Sequence, residues 1–265
     1  RRQRQMCIRD SKQAVTGLLD AVDPLARAVG AVNTVVAQRH GGGRALLTGV
    51  NTDVAGIVGA LREVLAHQGT VPGPRAVVLG SGATASSALA ALTELGATNV
   101  LVAARRHAGP GRAAAAAHRM GLGIRTLTWS PGDPASDAAV AHELAAADLV
   151  VSTLPAHAAD TLGAPLARAL GGRPRPGALL DVVYAPWPTA LAATWQAGGG
   201  VVAPGWLMLL HQAAPQVQLM TGRTPRLGPM RAALLHALGE GRGADVAAGA
   251  AGPDAQAVAG PPGMG

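Results

Sequence analysis

The sequence predicts an α/β protein: a parallel sheet of the nucleotide-binding type, beside a smaller α/β layer that helices near the C-terminus complete. Three observations carry this. After Pro72-Gly73-Pro74, short β-branched or leucine-rich runs alternate with alanine-rich helical ones, as in repeated βαβ units. The glycine-rich turn Gly80-Ser81-Gly82-Ala83-Thr84-Ala85 joins the first such run to the first such helix. From Trp206, the spacing Leu207, Leu210, Ala214, Val217 returns to helical period, so the chain leaves the sheet and ends in helices.

Ahead of the Pro72 turn, helical stretches are expected at Ala14 to Val22 and Val54 to Ala66, separated by Val32 to Ala37 and Gly41-Gly42-Gly43. The expected strands of the sheet are Ala76 to Leu79, Val100 to Ala104, Leu149 to Ser152, Leu179 to Val183 and Val201 to Ala203, each flanked by Gly, Pro or Asp. Pro225 and Gly228 interrupt the late helical run before a final helix, about Pro229 to Leu238. Beyond Gly239 the chain is Gly, Ala and Pro with few large apolar side chains, and disorder is expected there.

A length of 265 residues exceeds one minimal core and fits two modest domains. Hydrophobic residues make up 49%, yet no apolar run reaches the roughly 18 residues that cross a bilayer. The basic opening Arg1-Arg2-Gln3-Arg4-Gln5 lacks the apolar stretch of a signal peptide, so a cytoplasmic protein with no membrane role is expected. A single cysteine, Cys7, forms no intramolecular disulfide and builds no thiolate metal site by itself, so no metal is expected. The net charge of +7 would permit nucleic-acid binding, but the arginines are scattered and aromatics are only 2%, too few for base stacking. A polyanionic small molecule fits that charge better.

The glycine turn supplies such a partner. Gly80-Ser81-Gly82-Ala83-Thr84-Ala85 follows an expected strand and opens an expected helix, which is the context the dinucleotide fingerprint requires. Glycines let the backbone approach a pyrophosphate, which then meets the unpaired N–H groups and positive dipole end of the helix. At the end of the second strand, where NAD enzymes place an acidic residue for the ribose 2′-OH, this chain has Ala104-Arg105-Arg106. Two guanidiniums suit a 2′-phosphate, so NADP is favoured over NAD. The competing readings are a tight turn that binds nothing and a solvated basic loop.

Five blocks occur in order: Gly30-Ala31-Val32-Asn33-Thr34, Gly49-Val50-Asn51-Thr52-Asp53, the Gly80 turn, Asp181-Val182-Val183-Tyr184, and Gly205 to Gln212. Together with Ser152-Thr153-Leu154-Pro155 this series resembles the shikimate dehydrogenase family from about Lys12 to Pro225. The resemblance implies NADPH-dependent reduction of 3-dehydroshikimate to shikimate, at a site between a substrate-binding α/β domain and an NADP-binding Rossmann domain. It implies Lys12 and Asp53 as catalytic residues, with Asn33, Tyr184 and Gln212 as further substrate contacts. It also implies Thr153, Val182 and Gly205 near the cofactor, beside Gly80, Ser81, Gly82, Ala83, Thr84, Arg105 and Arg106. The expected domains are residues 1–70 for the substrate half, 71–204 for the cofactor half, 205–240 for helices returning to the substrate half, and a tail over 241–265. A monomer or homodimer acting on a small molecule is expected.

The chemistry accounts for these residue types. Hydride addition to a ketone develops negative charge on oxygen, so a group that both delivers and removes a proton is needed there. The Lys12 ammonium fills that role and Asp53 orients it, while the Asn33 and Gln212 amides and the Tyr184 phenol suit a polyhydroxylated carboxylate. Each residue also has a plainer reading. Asp53 is a good N-cap, Asn33 tolerates a left-handed turn, and Lys12 and Gln212 could face solvent. The family's opening strand, Ser-rich motif and Val-Thr-x-Pro-x-Lys segment are not found here, and Cys7-Ile8-Arg9-Asp10-Ser11 stands where Thr and Pro would precede the lysine. Residues 1–11 are therefore read as foreign or misread. The alternatives kept open are a quinate/shikimate dehydrogenase relative and a catalytically dead nucleotide-binding fragment.

Overall fold

The computed structural model describes residues 11–39, 43–66, 72–171 and 177–239. The chain divides into two compact units, one ending at Pro225 and one beginning at Arg226. The expectations for residues 1–10, with Cys7, for Gly41-Gly42 and for the tail from 241 onward lie outside the described residues.

The first described elements of this unit are α1 (Ser11–Ala14) and a single 3-10 turn over Val15–Leu18. Three strands follow in a small sheet, β1 (Ala21–Val22), β2 (Thr34–Gln38) and β3 (Leu46–Val50), with α2 (Pro24–Val29) between the first two. The sheet order is β1-β3-β2, with β1 parallel and β2 antiparallel to β3. The helix expected over Ala14 to Val22 is thus corrected: only its start is helical. Asp20 interrupts it, because its carboxylate accepts the Leu47 N–H at 2.8 Å and draws Ala21–Val22 into the sheet. α2 starts on Pro24 behind the Asp23 N-cap, whose side chain accepts from Leu25 and Ala26, and ends on Gly30 in the left-handed region. α3 (Asp53–Leu65) closes this layer.

The larger sheet holds β4 (Arg75–Leu79), β5 (Asn99–Ala104), β6 (Ile124–Thr128), β7 (Leu149–Ser152), β8 (Ala178–Asp181) and β9 (Val201–Pro204), all parallel, in the order β6-β5-β4-β7-β8-β9. Helices α4 (Ala83–Glu94), α5 (Ala113–Arg119), α6 (Pro134–Ala145), α7 (Gly163–Leu170) and α8 (Ala190–Ala197) supply the crossovers. This is the doubly wound Rossmann order, and it reverses direction between β4 and β7. The inner strands β7 and β8 are buried along their whole length, as sheets covered on both faces require. With phenylalanine absent from the chain, the core is built of alanine, valine and leucine around Trp129 and Trp195. Both indole N–H groups are satisfied, by Asp137 Oδ1 at 2.7 Å and Gly177 C=O at 3.3 Å.

Three further corrections concern strands. β6 has no counterpart among the sequence-expected strands, β3 forms where the sequence shows only the Gly49 motif, and the strand expected through Val183 stops at Asp181. The chain then enters α9 (Gly205–Thr221), which packs along α3. α3 turns Gly56 and Gly59 toward α9, and side chains there would crowd Met208, Gln212 and His211. The second unit contains α10 (Leu227–Ala237). No described helix is long and apolar enough to cross a membrane.

At Gly205, a Cβ would overlap the carbonyl oxygens of Val182 and Val183, both fixed backbone atoms. Gly205→Ala is therefore expected to destabilise the fold by about 1–3 kcal/mol, read as a lower urea midpoint at unchanged slope.

Candidate active site

The β2–β3 register brings two Asn-Thr pairs, Asn33-Thr34 and Asn51-Thr52, to one end of the small sheet. Thr34 pairs with Val50, and the Asn33 N–H donates to Val50 C=O at 3.1 Å. The two asparagines then divide the work. Asn51 Oδ1 accepts the backbone N–H of Asp53 at 3.0 Å and of Val54 at 3.3 Å, capping α3. Asn51 Nδ2 donates to Ala31 C=O at 2.9 Å and to Ser87 Oγ at 3.1 Å, tying the turn to α4.

Because Asn51 caps the helix, the Asp53 carboxylate is free for another use. Its Oδ1 accepts Asn33 Nδ2 at 2.7 Å, and its Oδ2 accepts a charge-assisted bond from Lys12 Nζ. Asp53 is 1% exposed, so it depends on these partners and on the positive end of α3. Lys12 is held from behind, since Val32 N–H donates to its carbonyl at 2.8 Å. Asn33 is fixed in turn by the Thr52 N–H and the Thr34 hydroxyl, each 2.9 Å from its Oδ1. The plainer readings of Asp53 as an N-cap and of Asn33 as a left-handed residue do not describe this geometry.

Gln212 lies on α9 against α3, and its Oε1 is buried with no hydrogen-bond partner among the described residues. An amide oxygen in that state suits a ligand donor. Gln216, one helical turn later, donates to Thr34 Oγ1 at 3.0 Å and Thr52 Oγ1 at 3.2 Å, so α9 closes the Asn-Thr cluster. His211 also packs on α3, with Nε2 2.9 Å from Glu63 Oε2. Tyr184 follows β8, is 47% exposed and stands outside the Asp53 network.

Lys12 also lines a cleft of about 1050 Å³ that runs over the C-terminal ends of β4, β5 and β7. Gly80, Ser81, Gly82, Ala83, Thr84, Arg105, Arg106, Thr153 and Val182 line it too, whereas Gly205 lies behind Val182. Gly80 has φ +102, and a Cβ there would overlap Thr153 Oγ1, which itself donates to Leu79 C=O at 2.8 Å. At Gly82 a Cβ would meet nothing within 4 Å, so the space above the α4 N-terminus is open, and no described side chain caps that helix. An open glycine turn at an uncapped helix N-terminus therefore stands at the switch point of the sheet, an arrangement that suits an anion.

The chain as a whole is similar to known proteins. Residues 205–235 match the family model described as Shikimate 5'-dehydrogenase C-terminal domain. The chain is 34% identical, over 82% of its length and 72% of the relative's, to the Shikimate dehydrogenase (NADP(+)) of Paramagnetospirillum magneticum. The corresponding enzyme of Citrifermentans bemidjiense is 39% identical over 84% of this chain and 72% of the relative. The chain belongs to the shikimate dehydrogenase family. Among solved structures, the Mycobacterium tuberculosis shikimate dehydrogenase superposes with a TM-score of 0.67 at 36% identity, covering 85% of this chain and 75% of that one. The Thermus thermophilus enzyme, solved with NADP(H) and shikimate, gives 0.63 at 32% identity, covering 85% and 76%.

Beyond the residues named from the shikimate dehydrogenase motifs, the structure adds Arg112, whose Nη1 lies 3.4 Å from Ser81 Oγ at the cleft wall. A third arginine seven residues after Arg105, beyond Gly109-Pro110-Gly111, was its sequence signal. His157, the one non-glycine residue with positive φ among those described, also lines the cleft. Nothing in the sequence marked it. The segment that carries Tyr184 is anchored by Asp181, which accepts the Val183 N–H at 3.2 Å and the Thr189 hydroxyl at 2.8 Å.

Burial raises the pKa of Asp181 above the usual carboxylate value, against the opposing hydrogen bonds of Thr189 and Val183. A raised acid contributes stability that is full below its unfolded pKa, about 3.9, and is lost as pH rises through the folded value. The stability of Asp181→Asn relative to the parent should therefore increase as pH rises above about 4. A difference in urea midpoints that stays constant with pH would rule this out.

Proposed function

We infer that this chain catalyses the family reaction, the NADP-dependent interconversion of shikimate and 3-dehydroshikimate. The single observation that carries the reading is that Lys12, paired with buried Asp53, opens into the same cleft as the Gly80 turn. The residues fit NADP: an open glycine cradle, an uncapped helix N-terminus, three arginines, and no carboxylate at the end of β5. Gly80 to Thr84 would hold the pyrophosphate, and Arg105, Arg106 and Arg112 the 2′-phosphate. When bound, the nicotinamide carries the hydride.

The protein's own part is proton handling and positioning. We assign to Lys12 Nζ the delivery of a proton to the carbonyl oxygen in reduction and its removal from the hydroxyl in oxidation. Asp53, fixed by Asn33, holds that ammonium in one place and offers an acceptor to a neighbouring substrate hydroxyl. The unpartnered Gln212 Oε1 accepts a second hydroxyl, and Tyr184 supplies a phenol from the segment after β8. Thr153 and Val182 form the wall beside the nicotinamide, with Gly205 packed behind Val182. In this reading the substrate half is residues 1–70 together with 205–240, and the cofactor half is 71–204.

The test is oxidation of shikimate with NADP, followed by absorbance of the reduced cofactor, with quinate and NAD in parallel. Turnover favouring NADP and shikimate is expected. Lys12→Ala should lower kcat by about 10²–10⁴-fold, the usual worth of a proton-transfer group. No turnover despite cofactor binding would leave the fold standing and remove the catalytic assignment. Arg106→Ala should raise the KM for NADP by roughly tenfold or more, the worth of one charged hydrogen bond, and leave the KM for NAD nearly unchanged.

A further inference from the structure

Lys12 has a neighbour that neither the motifs nor the proposed chemistry uses. Gln13 Nε2 donates to Gly111 C=O at 2.8 Å, joining positions 98 residues apart. The contact is tightly fitted. Gly111 has φ +71, and a Cβ there would overlap the Gln13 amide, so glycine is required both by the backbone and by the close approach. Gly111 belongs to the loop between β5 and α5 that carries Arg105, Arg106 and Arg112.

That loop is bonded to the glycine turn. Ser81 Oγ donates to Arg106 C=O at 2.7 Å, and Ala113 N–H donates to Ser81 C=O at 2.9 Å. A continuous set of bonds thus runs from Ser81 through the arginine loop to Gly111, then through Gln13 to the short α1, and ends at Lys12 and Asp53. α1 is only four residues long, so it has little rigidity of its own, and its placement depends on such ties.

We propose that Gln13 is a positioning residue that couples the two halves of the cleft, so that a phosphate on the arginine loop fixes α1 and with it the Lys12 ammonium. The inference rests on the dehydrogenase reading. By linkage the effect is reciprocal: substrate held by Lys12 and Asp53 tightens the hold on the cofactor.

The experiment is a calorimetric titration of NADPH into the full chain with and without saturating shikimate, a pair that cannot react because both partners are reduced. The parent chain should bind NADPH at least about fivefold more tightly with shikimate present, the lower end of ordinary coupling. Gln13→Glu keeps the length but removes the donor, and Gln13→Met keeps the length without charge. In both, the ratio should fall close to one while the melting temperature stays near that of the parent. A purely structural glutamine would shift the melting temperature and leave the ratio intact. The same ratio in parent and variants, or a parent ratio of one, overturns the proposal. Absence of NADPH binding by the parent would instead remove the dehydrogenase reading, and the proposal with it.

Discussion

The structure of the site depends on one buried carboxylate. Asp53 is almost fully removed from water, and burying an unpaired charge costs several kcal/mol. It must therefore keep charged or amide donors on both oxygens, and Lys12 and Asn33 meet that demand from two other parts of the chain. The β2–β3 register sets Asn33, the Val32–Lys12 backbone bond sets Lys12, and Asn51 takes over the helix cap. A slip of one residue in that hairpin would turn Asn33 to the opposite face of the sheet.

The parallel sheet applies a second constraint. Its reversal between β4 and β7 opens a crevice beyond the strand ends, and the Gly80 turn, Thr153 and the arginine loop all lie on it. α9 then leaves the last strand through Gly205 and returns to α3, carrying Gln212 against α3 and Gln216 to the Asn-Thr cluster. Proton transfer and cofactor binding are thus assigned to two walls of one cleft, with Lys12 and Gln13 where they meet.

The inner strands were legible because strands buried on both faces read as unbroken apolar runs, as in Leu149-Val150-Val151. The edge strand β6, Ile-Arg-Thr-Leu-Thr, carries no such run, and β1 is too short to have a period. The Gly80 turn, Lys12, Asn33 and Asp53 were visible as motifs. What joins them was not. Asn51 and Asn33 sit in the similar contexts Val-Asn-Thr, and only the hairpin register gives one the cap and the other the carboxylate. Gln13 was hidden for the same reason, since its partner is fixed by a loop that folds back on Gly111.

The account's central claim is that Lys12 and Asp53 act as a unit, and the direct test is a double-mutant cycle on kcat/KM for shikimate oxidation. The variants are Lys12→Ala, Asp53→Asn and the pair together, each first checked for a folded far-ultraviolet spectrum. If the two side chains act through one bond, the double variant loses little more than the worse single variant. Losses that multiply would mean that the groups work independently, and the Asp53-centred account of the site would be wrong.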